Sequence, residues 1–524
     1  MKAFADLLDG LVYTPGREAK LRRLTAYFRD TPDPDRGYAL AALTGNLALK
    51  TAKPAMIRAL VADRVDPVLF GWSYDYVGDL AETCALIWPT RAADAQTPRL
   101  AAVVERLQAA HRAEVPRLIE GWMDSLDAGP RYALMKLVTG GLRVGVSSGL
   151  AKAALARLGP VPPEEIEEVW HALSPPYQAL FAYAEGRGPR PDTTEKLTFR
   201  APMLAHPIDE ADFAALDPAA FRAEWKWDGI RVQLVMRGHE VRMFSRTGED
   251  VGPAFPDLLD TLKGDATLDG ELLVGDGLSP AAFADLQQRL NRKTVDRSLM
   301  QRYPAFVRVY DILFEGEEDL RPLPFDVRRD RLAAWVGRTA LPRIDLSPQI
   351  AFSSWDDLVG HRLSSGNAAA EGLMLKRGDS PYVAGRPKGL WYKWKRDPHL
   401  VDAVLMYAQR GHGKRSSFYS DFTFGVWTDD DALVPVGKAY FGFTDAELVE
   451  LDKWVRNNTV KRYGPVREVA QGLVLEIAFE GLQRSNRHKS GVAMRFPRIN
   501  RIRWDKPPAE ADRLEGLSRL LPPA

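Results

Sequence analysis

The sequence predicts a multidomain α+β protein: an all-helical N-terminal domain, an antiparallel-rich α+β domain and a small C-terminal barrel. Three observations carry that prediction. The chain has 524 residues, too many for one ordinary hydrophobic core, and about 150 residues per domain gives roughly three. Apolar spacing of three and four residues dominates positions 1 to about 190, whereas short alternating runs dominate from about 200 onward. Between them lies GRGPRPDTTEKL, residues 186–197, whose Pro, Gly and polar content reads as a linker.

In the first region Leu21, Leu24, Tyr27 and Phe28 recur at helical spacing, as do the apolar residues from Leu100 to Leu126. Proline-bearing breaks such as TPDPDRG, GPVPP and SPP separate the helices. From about 200 to 396, AEWKWDGIRVQLVM, HEVRMFSR, ATLDGELLV, FVRVYDILF, EGLMLKR and LWYKWKR read as strands. PAAFADLQQRL and DVRRDRLAAWV have helical spacing and lie between them. From about 398, VDAVLMYAQR, DFTFGVWT, LVPVGKAYF and LVLEIAFEGL recur as short strands, with one helix near TDAELVELDKWVRNN. The expected domains are therefore 1–195, 196–396 and 397–506, with 507–524 as a C-terminal tail.

Composition narrows the class. Hydrophobic residues make up 45% and charged residues 27%, which excludes a largely disordered chain. Lys and Arg total 71 against 70 Asp and Glu, a net charge of +1. That near-neutrality excludes a polyanion partner only if the cations are evenly spread, and whole-chain sums hide clustering. One cysteine, Cys84, excludes an intrachain disulfide and any multi-cysteine zinc or iron–sulfur site, and it suits a reducing compartment. The start, MKAFADLLDGLVYTPGREAKLRRL, lacks the apolar core of a signal peptide, and no run approaches the ~20 apolar residues that span a bilayer. The expectation is a cytoplasmic protein.

The densest chemical signal is Glu224-Trp225-Lys226-Trp227-Asp228-Gly229-Ile230-Arg231. As a strand, it puts Glu224, Lys226 and Asp228 on one face and both tryptophans on the other. Other strands repeat the pattern: Asp269-Gly270-Glu271 amid apolar residues, and Glu371-Gly372-Leu373-Met374-Leu375-Lys376. In Trp391-Tyr392-Lys393-Trp394-Lys395 the two lysines take one face and the aromatics the other. Taken singly, each is read equally well as an amphipathic strand with a local ion pair. Together they predict a cleft of cations, carboxylates and an aromatic wall, because polar groups inside buried strands cost stability unless paired or functional.

Lys226-Trp227-Asp228-Gly229-Ile230-Arg231 resembles the KxDGxR motif of the covalent nucleotidyltransferases: DNA ligases, RNA ligases and mRNA-capping enzymes. Further motifs follow in family order: Ser245-Arg246-Thr247-Gly248-Glu249-Asp250, Asp269-Gly270-Glu271, Val309-Tyr310-Asp311, Glu371 to Lys376, Lys393-Trp394-Lys395, and the tail Arg495-Phe496-Pro497-Arg498 to Arg503-Trp504-Asp505-Lys506. That tail, the preceding LEIAFEGLQRS and the segment Leu142-Arg143-Val144-Gly145 before an Ala-rich helix are similar to the ATP-dependent DNA ligases in particular. The NAD-dependent ligases carry a four-cysteine zinc finger that Cys84 alone cannot build.

The resemblance implies a nucleotidyltransferase domain over 196–396 and an OB-fold over 397–506, sealing nicked double-stranded DNA with ATP and Mg²⁺ or Mn²⁺ in repair, replication or recombination. It makes Lys226 the nucleophile that forms a lysyl-AMP, with Lys393 and Lys395 on the triphosphate and Asp228 supporting the metal-binding carboxylates. An ordinary lysine is almost fully protonated at neutral pH, so such a site must favour the free amine. Glu224 is expected on the adenine edge, Tyr310 against the adenine, Arg231 and Arg246 near sugar and phosphates, and Glu271 and Glu371 on the metal. The resemblance further implies that Arg503, Asp505 and Lys506 orient the departing pyrophosphate. DNA backbone contacts are expected from Arg143, Gly145 and Ser147 at a helix start, and from Arg410, Lys414 and Arg415 in a glycine-bearing loop. Helix capping and an unpartnered surface loop are the rival readings of those segments. The enzyme is expected to act as a monomer clamped around DNA. An RNA ligase or capping-type transferase on the same core, and a non-catalytic DNA-binding clamp, are the alternatives.

Overall fold

The fold was obtained as a computed structural model, which describes residues 1–47, 49, 54–89, 97–140, 142, 144–193, 196–275, 279–290, 292, 295–364, 370–411, 418–485 and 488–521. The chain divides into two compact units. One comprises Met1–Ile166, Leu173–Arg190 and Pro398–Ala524, and the other Glu167–Ala172 and Pro191–Asp397. No helix among the described residues is long and apolar enough to cross a membrane.

Among the described residues, the regular elements up to Ala184 are helices, from Lys2–Tyr13 to Gln178–Ala184. Local chemistry fixes the ends. Asp66 accepts from the N–H groups of Val68 and Leu69 ahead of Pro67, and Ser147 accepts from Leu150 N–H to start Ser148–Ala156. The helical spacing from Leu100 to Leu126 is not one helix. It divides into Leu100–Ala109 and Val115–Ser125, because Pro116 has no N–H to continue a helix entering from before it.

The second unit is built on two sheets. A five-stranded sheet runs His206–Pro207, Trp391–Lys395, Ala370–Arg377, Phe221–Trp227, Gln349–Ile350. A six-stranded sheet runs Glu240–Ser245, Ile230–Arg237, Ala266–Val274, Ala305–Glu315, Glu318–Asp319, with Ile344–Leu346 parallel to Ala305–Glu315. The runs read as strands from their alternation in this region form strands, except that AEWKWDGIRVQLVM divides at Asp228-Gly229 into Phe221–Trp227 and Ile230–Arg237, which belong to different sheets. The helix Phe325–Thr339 covers the six-stranded sheet through Leu332 and Trp335, which join Leu268, Val307 and Ile312 in one apolar core. Beside that core, Arg328 is fully buried and donates to both oxygens of fully buried Asp311, at 2.8 and 3.0 Å, and to Ser380 O at 3.0 Å.

In the first unit's C-terminal part, the strand His399–Arg410 is the hub. It pairs antiparallel with Tyr419–Trp427, Val466–Val469 and Val474–Phe479, and Val474–Phe479 pairs with Arg498–Arg503. The helix Asp445–Asn457 starts with a reciprocal cap between Thr444 and Glu447 and buries Leu448, Leu451 and Val455 in the same core as Phe422 and Phe424. Residues after Lys506 fold back: Trp427 Nε1 donates to Pro508 O at 2.7 Å, and Leu517 is buried.

Arg328→Ala leaves the Asp311 carboxylate buried without its counter-charge. It is expected to cost about 3–5 kcal/mol of unfolding free energy. Urea unfolding followed by tryptophan fluorescence checks this, and a loss near zero would show that Asp311 relaxes without its partner.

Candidate active site

Strand register assembles the site. Met374 lies opposite both Glu224 and Lys393, and Gly372 lies opposite Lys395, so Glu224, Lys226, Lys376, Lys393 and Lys395 share one face of the five-stranded sheet. The other face is apolar, with Leu373, Leu375 and Trp394 in a separate core. Trp391 departs from expectation. It has the parity of the two lysines, not of Tyr392 and Trp394, and its ring lies 4.8 Å from Lys376 Nζ.

A register shift between Ala370 and Leu373 brings Glu371 into play. Gly372, at φ +149°, holds a conformation other residues rarely adopt, and a Cβ there would lie 2.2 Å from Trp394 O. Glu371 accepts from Lys226 Nζ through Oε1, and its Oε2 lies 3.4 Å from Lys395 Nζ. Burial acts to raise the Glu371 carboxyl, but the charges and hydrogen bonds of Lys226 and Lys395 hold it below the usual carboxylate range. Glu271 is different. Burial pushes its carboxyl up to about 8; Lys226 and Arg231 oppose this, while Glu371 and Asp269 add repulsion. Lys393 is lowered by burial and by the charges of Lys395, Lys226, Arg386 and Arg246, which brings the exposed Arg246 within electrostatic reach of the lysines.

The crossing between sheets is made by Asp228 and Gly229, both partly buried. A Cβ at Gly229 would meet Leu272 O at 2.5 Å and Glu271 Cγ at 2.8 Å. On the far side Arg231 lies opposite Glu271 in register. Its guanidinium is fully engaged: Nε and Nη2 donate to Asp269 at 3.0 and 2.5 Å, Nη1 to Met203 O at 2.7 Å, and Nη2 also to Tyr382 OH at 3.2 Å. Tyr310 donates to Asp269 at 3.4 Å, and burial followed by the Asp269 charge moves its hydroxyl well above the usual range.

Glu224 is buried against Lys376, whose Nζ donates to its Oε2 at 2.9 Å. Arg329 Nη1 stands 3.5 Å from the other oxygen, Oε1. Lys376 also lies 4.4 Å from the centroid of the Tyr310 ring and 4.8 Å from that of Phe325. Burial lowers the Lys376 ammonium, against the pull of Glu224. Sequence reasoning quoted Lys376 in its motif without a role and missed Arg329 and Tyr382. Only the parity of Lys376 with Met374 signalled that its charge belongs to the site face.

The tail residues form a second cluster, in the C-terminal strands. Arg503 donates to Asp505 through Nε at 3.0 Å and Nη2 at 2.9 Å, and both Arg503 and Lys506 bond Asp402. In the helical region Gly145 and Ser147 line, with Arg17 and Leu142, an open cavity of about 930 Å³ at the start of Ser148–Ala156. The loop before it is tied down by Lys20, whose Nζ donates to Val144 O at 2.9 Å and Gly145 O at 3.0 Å. Arg410 is exposed at the end of its strand. Arg143, Lys414 and Arg415 lie outside the described residues.

Two family models match the chain, the ATP dependent DNA ligase domain over 202–395 and the ATP dependent DNA ligase C terminal region over 415–506. A protein of Anaeromyxobacter sp. (strain Fw109-5) described as a probable DNA ligase is 34% identical over 528 residues, 98% of this chain and 96% of that protein. Another probable DNA ligase, from Koribacter versatilis (strain Ellin345), is 29% identical over 98% of this chain and 95% of its own. Of the solved structures, one titled Pmar-Lig_PreS3 shares the fold at a TM-score of 0.61 and 18% identity, covering 95% of this chain and 99% of that one. The matched models contain the lysine strand, its facing carboxylates and the tail cluster, and full-length identity carries the same assignment across both units: the chain belongs to the ATP-dependent DNA ligase family.

Proposed function

We propose that the chain seals nicks in double-stranded DNA with ATP as adenylate donor, and that Lys226 carries the AMP. The single observation that carries the residue assignment is one sheet face on which Lys226 meets Glu371, with Lys393, Lys395 and Glu271 around it.

In the first step the Lys226 amine attacks the α-phosphorus, a P–N bond forms, the bond to the β-phosphate oxygen breaks and pyrophosphate leaves. Lys393 and Lys395 meet the triphosphate charge, and Arg503, Asp505 and Lys506 orient the leaving pyrophosphate. AMP then passes to the 5′-phosphate of the nick, and the 3′-hydroxyl displaces it to form the phosphodiester. Tyr310 supports the adenine, Glu224 reads its edge, Arg231 and Arg246 serve the sugar and phosphates, and Asp228 holds the lysine turn. Glu271 and Glu371 fit a divalent cation: both are carboxylates, and Glu271, raised to about 8 by burial, would give up its proton to a cation bound beside it. Among the described residues no three ligating side chains are already grouped, so phosphate oxygens would complete the shell. Bound there, Mg²⁺ or Mn²⁺ supplies charge neutralisation on the phosphates.

The domain division proposed is 1–195 for DNA binding, 196–396 for adenylation and 397–506 as an OB-fold, with 507–524 as a tail. The long hub strand His399–Arg410, shared by three partners, supports the barrel. Gly145, Ser147 and Arg410 are proposed contacts to the DNA backbone, which a sequence-blind sealer needs more than base contacts. Buried Cys84 suits the cytoplasm, where we place the enzyme as a monomer.

Purified protein incubated with labelled ATP, then nicked DNA, tests the reading. Lys226→Ala is expected to abolish protein labelling while retaining sealing of a nick that already carries AMP; labelling that survives means the nucleophile is another residue, and labelling by GTP alone would favour a capping-type enzyme. A second expectation concerns pH. Glu271 is raised from the ordinary 4.5 to about 8, so the stability its protonated form contributes is complete below about pH 4.5 and is lost as pH rises through 8. Glu271→Gln should therefore raise Tm at pH 8 and leave it unchanged near pH 4.5. Calorimetric titration of the wild type with Mg²⁺ at pH 7 should release a proton that the variant does not release.

A further inference from the structure

Arg503 and Lys506 converge on one atom. Arg503 Nη1 donates to Asp402 Oδ2 at 3.1 Å, and Lys506 Nζ donates to the same oxygen at 2.7 Å. The Asp402 side chain is 12% exposed, and its other oxygen, Oδ1, is buried with no hydrogen-bond partner. A carboxylate oxygen left unsatisfied costs stability, so the side chain is aimed at the two cations at the expense of its own hydrogen bonding. Its backbone is pinned as well: Asp402 N–H donates to Asp512 Oδ2 at 2.8 Å, and Asp512 N–H donates to Asp402 O at 2.9 Å. Asp402 and Arg503 flank the strand Val474–Phe479, pairing with Glu476 and Val474 respectively.

Two cations meant for one pyrophosphate repel each other until it is there. At a few ångströms that repulsion is enough to splay two long, flexible side chains. Asp505 grips only the outer edge of Arg503, and its side chain is 58% exposed. Asp402 sits where the two charges meet and cancels their repulsion.

We propose that Asp402 is a positioning residue for the first step, assembling Arg503 and Lys506 into one doubly charged edge before the triphosphate arrives. This rests on the pyrophosphate role proposed above for those two side chains. The bonds made and broken stay the same: the pair only takes up charge on the leaving group as the α–β oxygen bond breaks. Transfer of AMP to DNA and sealing release no pyrophosphate and make no use of the assembled pair.

Asp402→Asn keeps the shape and removes the charge. Labelling of the enzyme by ATP is expected to slow about ten- to a hundredfold, the loss of one charge-assisted contact. Sealing of a nick that already carries AMP, without ATP, is expected to be unchanged, and Asp402→Glu should restore part of the labelling rate. Unchanged labelling by Asp402→Asn overturns the proposal, and so does an equal fall in both reactions with a lowered Tm, which marks a purely structural residue. Arg503→Ala and Lys506→Ala run in parallel: if both still label at the wild-type rate, the pyrophosphate role itself fails and the proposal with it, a result distinct from failure of Asp402 alone.

Discussion

Between Trp227 and Ile230 the chain leaves a five-stranded sheet and enters a six-stranded one, and it makes that passage in two residues, Asp228 and Gly229. The crossing is so close that a Cβ at Gly229 would overlap Leu272 O and Glu271 Cγ. Much of the site follows from this constraint. Lys226 is delivered at the end of one sheet and Arg231 at the start of the other, and Glu271, opposite Arg231 in register, is held against the turn that follows the lysine. A larger residue at 229 would push against Leu272 and Glu271 and disturb the crossing that follows the lysine. The bulge at Gly372 then supplies what the crossing lacks, a carboxylate on the lysine's own sheet.

The electrostatics divide the carboxylates into two kinds. Glu371, Glu224 and Asp269 each have cations in contact, respectively Lys226 with Lys395, Lys376 with Arg329, and Arg231. Glu271 has charges nearby and no ion pair among the described contacts, and burial pushes its carboxyl up to about 8, whereas Glu371 is held below the usual range. Burial acts to raise both of these carboxyls, so the difference between them lies in their partners. Glu371 and Asp269 thus each meet their cations directly, while Glu271 stands beside them without one among the described contacts.

Much of this was legible in the sequence because strand parity is a strict rule. Alternation placed Glu224 and Lys226 on one face, and motif order added Glu271, Glu371, Lys393 and Lys395. Strict parity puts Trp391 on the lysine face as well; grouping every aromatic residue on the opposite face overlooks this, and the ring packs on the buried ammonium of Lys376. The partners were the harder part. Arg329 comes from the helix Phe325–Thr339 and Tyr382 from a loop, and no local spacing links either to Glu224 or Asp269. Asp402 was hidden for the same reason. It reads as one polar residue in a strand, and only the pairing of two distant segments with Val474–Phe479 brings it to Arg503.

Those partners explain why a family that handles DNA has a member with a net charge of +1. A protein could attract a polyanion with a surplus of exposed cations, at the cost of self-repulsion in its folded state. Here the cations proposed to meet phosphate are already matched: Lys226 and Lys395 by Glu371, Arg231 by Asp269, Arg503 and Lys506 by Asp402. Phosphate binding at such sites is an exchange of partners more than a capture of free charge. The net gain per contact is smaller than a bare cation would give, because a resident ion pair is loosened as the new one forms. What the exchange gains is order. Each cation is held in a defined rotamer before the ligand comes, so less conformational entropy is lost when it binds. In a reaction where placement and charge stabilisation do most of the catalytic work, matched charge is the better way to build the site.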